Sequence, residues 1–123
     1  MQRLLEFWGP HIERCGLILK NGAILELPNV HEDPQNGFRV DPAEILKHEA
    51  ETAATWHTHP SGNANLSMED YHCFLAWPEL FHYVVSRVKV NCYFTEFNRV
   101  YLHDDSDLPR LPQGAVPQRS PDN

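Results

Sequence analysis

The chain has 123 residues, 41% of them apolar and 22% charged, the composition and size expected of one ordinary globular domain. Ten Lys and Arg against 17 Asp and Glu give a formal charge of −7, the wrong sign for displacing counterions from a nucleic-acid backbone. No apolar run approaches the ~20 residues of a membrane span, and Leu4-Leu5 is too short for a signal-peptide core.

Leu4, Leu5 and Trp8 are spaced as on a helix that Gly9-Pro10 would stop. Residues 13–19 read as a strand with Cys15, Leu17 and Leu19 on one face. Asn21-Gly22 is the strongest hairpin signal in the chain, with residues 24–27 as the return strand. Residues 28–37 are polar and turn-rich, a loop, and Phe38 and Val40 make a short extended piece. Asp41-Pro42-Ala43-Glu44 opens a helix to about residue 51: Asp41 caps, Pro42 fits the first helical position and Glu44 can reach back.

Residues 53–59 read as a buried strand ended by Pro60-Ser61-Gly62-Asn63. Ser67-Met68-Glu69-Asp70 is a second capping-box signature, starting a helix through about Trp77 before Pro78. Three β-rich runs follow at 83–86, 89–95 and 99–103. Strands alternating with helices predict an α/β domain with a mixed sheet, spanning about residues 1–103. Residues 104–123 hold four of the ten prolines among polar residues, the composition of a mobile C-terminal tail. The three cysteines (Cys15, Cys73, Cys92) have no CxxC spacing and fit buried thiols in a reducing, cytoplasmic compartment.

The chemistry concentrates in Trp56-His57-Thr58-His59-Pro60, followed by Ser67 and Asp70. Residues two apart on a strand face the same way, so His57 and His59 can aim both imidazoles at one ion. Ser67 and Asp70, three apart, share a face of a helix's first turn. If the intervening loop folds that turn over the strand end, Asp70 becomes a third ligand. Two histidines and one carboxylate leave a tetrahedral position open, the form of a catalytic rather than a structural zinc site. An isolated HxH is a weak signal; the four-residue pattern in this context is a strong one.

These residues resemble the JAMM (MPN+) metallopeptidases, whose motif is a Glu, then HxH, seven residues and SxxD. The stretch 13–18 resembles the element that carries the family's upstream Glu, and the Trp before the first His is also typical. The resemblance implies the layered JAMM/MPN fold, which is cytidine-deaminase-like, and one catalytic zinc ion. His57, His59 and Asp70 would be its ligands, Glu13 the general base and Ser67 the oxyanion helper. It further implies an isopeptidase or peptidase acting after the C-terminus of a ubiquitin-like protein, with E1-like and E2-like partners. A phage-tail branch of the family is similar over residues 29–45 and supplies an alternative client. A non-hydrolytic scaffold is the alternative of another class, and it would require a broken motif. No long insert follows the Asp70 helix, a departure from eukaryotic deubiquitinases that bears on linkage selectivity.

Each of these residues also has a plainer role. Ser67 could be only an N-cap worth ~1 kcal/mol, Asp70 could only favour the helix dipole, and Glu13 could be a solvated surface carboxylate. Cys15 and Cys73 read as small buried hydrophobes. His11, His31, His48, His72, His82 and His103 show no ligand spacing. Zinc nucleoside deaminases need HxE and PCxxC, which are missing, and HExxH peptidases place their histidines on a helix.

Overall fold

A computed structural model describes residues 2–62 and 65–103 of the chain. The chain begins with a 3-10 helix, Gln2–Phe7, then forms β1 (Cys15–Leu19) and β2 (Ile24–Leu27). The turn between them is the expected one. Gly22 takes φ 92°, its N–H donates to Leu19 O (2.8 Å), and Asn21 Oδ1 accepts the Ala23 N–H (2.9 Å).

After the loop comes α1 (Pro42–Lys47), with the Asp41 side chain accepting the Ala43 N–H. This helix is shorter than expected. His48 leaves helical geometry (φ −108°, ψ 14°), and a 3-10 turn, Glu49–Glu51, completes the run. The Glu44 carboxylate lies 3.4 Å from Lys47 rather than closing a capping box. Phe38 and Val40 are not in a strand, although the Val30 N–H donates to Arg39 O (2.8 Å) across the loop.

β3 (Thr52–Thr58), α2 (Met68–Ala76), β4 (Phe81–Val85), β5 (Val90–Glu96) and β6 (Arg99–Leu102) complete the domain. The sheet runs β2-β1-β3-β4-β5-β6. Only β3 and β4 pair in parallel, and α2 is the crossover that a parallel pair requires.

One sheet face packs Ile18, Trp56, Tyr83 and Val85 against Leu4 of the N-terminal 3-10 helix. On the other face, Leu17 and Leu27 meet Ile45 of α1, and Val84 and Tyr93 meet Phe74 of α2. With both faces covered, every residue of β3 and β4 is buried. The mixed α/β layering expected from the sequence is therefore present. Residues 104–123, the expected tail, lie outside the described residues. Among the described residues no helix is long and apolar enough to cross a membrane.

Candidate metal centre

β3 carries His57 into the centre of the helix-covered face, and His59 follows one residue past the strand's end. Main-chain bonds fix that end on both sides: Thr58 N–H donates to Arg14 O (2.8 Å) and His59 N–H to Val85 O (2.9 Å). From the far face, Trp8 Nε1 donates to His59 O (2.7 Å). The two imidazoles meet with Nε2 atoms 3.1 Å apart.

The first turn of α2 delivers Asp70. Its Oδ1 is 3.1 Å from His57 Nε2 and its Oδ2 3.2 Å from His59 Nε2. A capping box sets this carboxylate: Oδ2 accepts the Ser67 N–H (2.9 Å), and Ser67 Oγ accepts the Asp70 N–H (3.1 Å). Ser67 is thus the N-cap of α2 and stays exposed at the mouth of the site.

Strand pairing settles where Glu13 lies. Cys15 pairs with His57 across β1 and β3, and the Arg14 N–H donates to Thr58 Oγ1 (2.9 Å). One further step of that antiparallel register puts Glu13 opposite His59. Glu13 is buried and not a solvated surface residue, and its Oε1 has no hydrogen-bond partner among the described residues. Glu13, His57 and His59 offer ligand atoms all within 4.8 Å of one another, a group that could hold a metal ion. The Asp70 oxygens stand 3.1 and 3.2 Å from the same imidazoles, so two carboxylates flank one histidine pair.

The donor geometry suits an ion. A neutral imidazole has one N–H, which cannot satisfy an imidazole and a carboxylate converging on the same nitrogen. Four-coordinate tetrahedral binding with bonds of ~2.0–2.1 Å has ligand–ligand edges of about 3.3 Å. His57 Nε2 and His59 Nε2, 3.1 Å apart, are close to that edge, and each faces its own Asp70 oxygen, Oδ1 at 3.1 Å and Oδ2 at 3.2 Å. His57 Nδ1 has no partner among the described residues. Its ring is held instead by stacking on Phe38 at 4.1 Å.

Burial sets the electrostatics. It pushes the His57 imidazole below its ordinary pKa, against the opposing pull of Asp70, so the ring is neutral and able to ligate. Burial alone would raise the Asp70 carboxyl. The hydrogen bonds from His57, His59 and the Ser67 N–H outweigh it and hold Asp70 well below the usual carboxylate range. At Glu13 the balance is reversed. Burial pushes it up to about 7, with His59 lowering it and Asp70 raising it.

Several residues without a sequence signal shape the site. Phe38 walls off His57. His31, with no ligand spacing in the sequence, joins its Nε2 to Glu69 Oε2 at 3.0 Å, tying the 28–40 loop to the start of α2. Gly37 passes so near this pair that a Cβ there would lie 2.7 Å from each side chain. His82 is buried beneath Phe74, with its Nδ1 2.7 Å from Thr55 Oγ1 and its Nε2 3.0 Å from Trp77 O. Beside the site, a cavity of about 310 Å³ opens between Phe38, Val40, Ile45 and Trp77, with Glu69 and Cys73 on its α2 side. Cys15 and Cys73 are thiols held neutral by burial, each pushed up to about 12.

Comparison with known proteins agrees with this architecture. The solution structure of protein DSY2949 from Desulfitobacterium hafniense has a similar fold, with a TM-score of 0.63 at 23% identity over 85% of each chain. No curated protein matches the sequence. The family described as prokaryotic homologs of the JAB domain matches residues 9–100, the span that holds Glu13, both histidines, Ser67 and Asp70. By that match, which covers most of the chain, the protein belongs to the prokaryotic JAB-domain family.

Proposed function

We propose that this protein is a zinc-dependent peptidase that hydrolyses the amide or isopeptide bond after the C-terminus of a ubiquitin-like protein. The observation that carries the reading is the convergence of His57 Nε2, His59 Nε2 and the Asp70 carboxylate at separations of 3.1–3.2 Å. His57, His59 and Asp70 would hold the ion. Bound there, zinc would supply Lewis-acid polarisation of the scissile carbonyl and activation of water.

The opposed pKa shifts divide the two carboxylates between roles. A ligand must be ionised, and Asp70 is held ionised by its hydrogen bonds. A proton shuttle works best with a pKa near the working pH, and Glu13 stands at about 7 with Oε1 unengaged. Glu13 takes the proton of the attacking water and returns it to the departing amine. Ser67 Oγ accepts the Asp70 N–H through a lone pair, which leaves its own hydrogen to donate to the developing oxyanion. Capping and catalysis use opposite sides of one hydroxyl.

Family membership and backbone chemistry support this substrate class. An extended C-terminal tail can be recognised through main-chain bonds at a sheet edge without a deep pocket. E1-like and E2-like proteins in the cytoplasm would prepare such a substrate. The deciding assay is cleavage of a ubiquitin-like fusion, with and without chelator, alongside Glu13→Ala. The fusion should be cut at the tail, chelator should stop it, and Glu13→Ala should lose turnover while retaining bound zinc. A zinc-loaded parent that leaves every such fusion intact rejects the reading.

A further inference from the structure

The loop of residues 28–40 is organised by one side chain. Asn29 Nδ2 donates to Glu13 O (2.8 Å) and Gly37 O (3.0 Å), while its Oδ1 accepts the N–H groups of His31 and Arg39 (both 3.0 Å). Two carbonyls on one side and two N–H groups on the other fix which end of the amide is oxygen. The same loop takes the other polar group of Glu13, whose N–H donates to Pro34 O (2.7 Å). Both main-chain groups of Glu13 are therefore gripped by the loop that Asn29 folds. The Glu13 side chain, with Oε1 unpartnered, is aimed by its main chain.

We infer that Asn29 is the positioning residue for Glu13, coupling the loop's fold to the placement of the proton-transfer carboxylate. The inference rests on the role of Glu13 proposed above. A general base must stand within hydrogen-bond reach of the proton it takes, and a misplacement of 1 Å can cost ~10²-fold in rate. The donor half of the amide does this work, and the acceptor half shapes the loop.

Asn29→Asp separates the halves. It keeps an acceptor for His31 and Arg39 and removes both donors. Asn36→Ala is the control: Asn36 bonds Asp33 in the same loop (3.0 Å) and makes neither of the bonds to the Glu13 main chain, which go to Asn29 and Pro34. Asn29→Ser, which also keeps a two-residues-on acceptor, replaces the aspartate variant should that variant not fold. In the fusion assay Asn29→Asp should lower kcat about tenfold or more, with KM and zinc stoichiometry within about twofold of the parent. Asn36→Ala should leave kcat unchanged. An Asn29→Asp enzyme that turns over like the parent overturns the inference, as does an equal loss in Asn36→Ala.

A second readout needs no activity: amide hydrogen exchange at Glu13 in the full chain. Exchange should quicken about tenfold or more in Asn29→Asp and stay at the parent rate in Asn36→Ala. Unchanged exchange in Asn29→Asp rejects the positioning role. If the parent cleaves no fusion, the proposed activity fails, and exchange at Glu13 alone decides the role of Asn29.

Discussion

Ser67 and Asp70 hold each other by reciprocal hydrogen bonds of 2.9 and 3.1 Å, and the carboxylate so fixed faces the Nε2 atoms of His57 and His59. The helix cap and the metal centre are one structure, which makes their energetics separable only by choosing the substitution. Glycine caps a helix nearly as well as serine, whereas alanine costs ~1 kcal/mol. Ser67→Ala should therefore lower Tm by a few degrees, and Ser67→Gly should restore most of it. Both should lose ~10²-fold or more in kcat, because neither has a hydroxyl to donate. Recovery of kcat in Ser67→Gly along with Tm would reduce Ser67 to a cap.

Glu13 predicts a pH dependence. Its carboxyl must be ionised to accept a proton, so kcat/KM should fall on the acid side with a limb at or below pH 7. A bound cation can only move that limb downward. The metal-free protein carries the same group in its stability. A carboxyl raised on folding binds more protons in the folded than in the unfolded state at intermediate pH. Its contribution is full below the ordinary value of 4.5 and is lost as pH rises through about 7. Comparing parent with Glu13→Gln by urea unfolding at pH 5 and pH 8 should show the parent losing stability relative to the variant. No difference between the two pH values would place Glu13 in solvent, and an opposite sign would mean a carboxylate stabilised by the fold.

His82 predicts a structural penalty without a metal phenotype. The Trp77 carbonyl can only accept, so Nε2 carries the proton and Nδ1 accepts from Thr55. Burial lowers its pKa to about 3, so the ring is neutral. His82→Phe keeps the stack on Phe74 and strands the buried Thr55 hydroxyl, while Trp77 O keeps the Leu80 N–H (3.1 Å). The expected cost is about 2 kcal/mol or more. Adding Thr55→Val should cost less than the sum of the two single changes. Zinc stoichiometry should match the parent, and a variant that folds normally but binds no metal would move His82 into the site.

The turn joining β5 to β6 carries removable strain. Phe97 and Asn98 both have positive φ (54° and 61°), and Phe97 is 85% exposed, so its ring gains little from packing. Such a two-residue turn favours Asn at the first position. Phe97→Asn should raise stability by about 1 kcal/mol, read as a Tm increase of ~4 °C or more. A lower Tm would mean that the ring contributes more than the backbone strain costs.

The local signals in the chain carried far. The Asn21-Gly22 turn, the Asp41 and Ser67 caps and the alternating or β-rich runs each act over a few residues. They formed near where the sequence put them because short-range sterics and hydrogen bonding determine them. His57, His59, Ser67 and Asp70 were legible for the same reason: strand and helix periods fix which way each side chain points. The early end of α1 at Lys47 was not legible, since the helix yields to the chain's need to turn into β3. Nor was the Phe97-Asn98 turn, which lacks the glycine that would have announced it.

What lay beyond the sequence was everything set by pairing between distant segments. Nothing in residues 13–18 says how far Glu13 is from His57. The β1–β3 register decides it, and burial in the resulting layer then lifts its pKa. Asn29, Phe38 and His82 look like ordinary loop and strand residues until the sheet and α2 close around them. Residue identity supplied the donors; the long-range contacts of the folded sheet supplied their distances and their charge states.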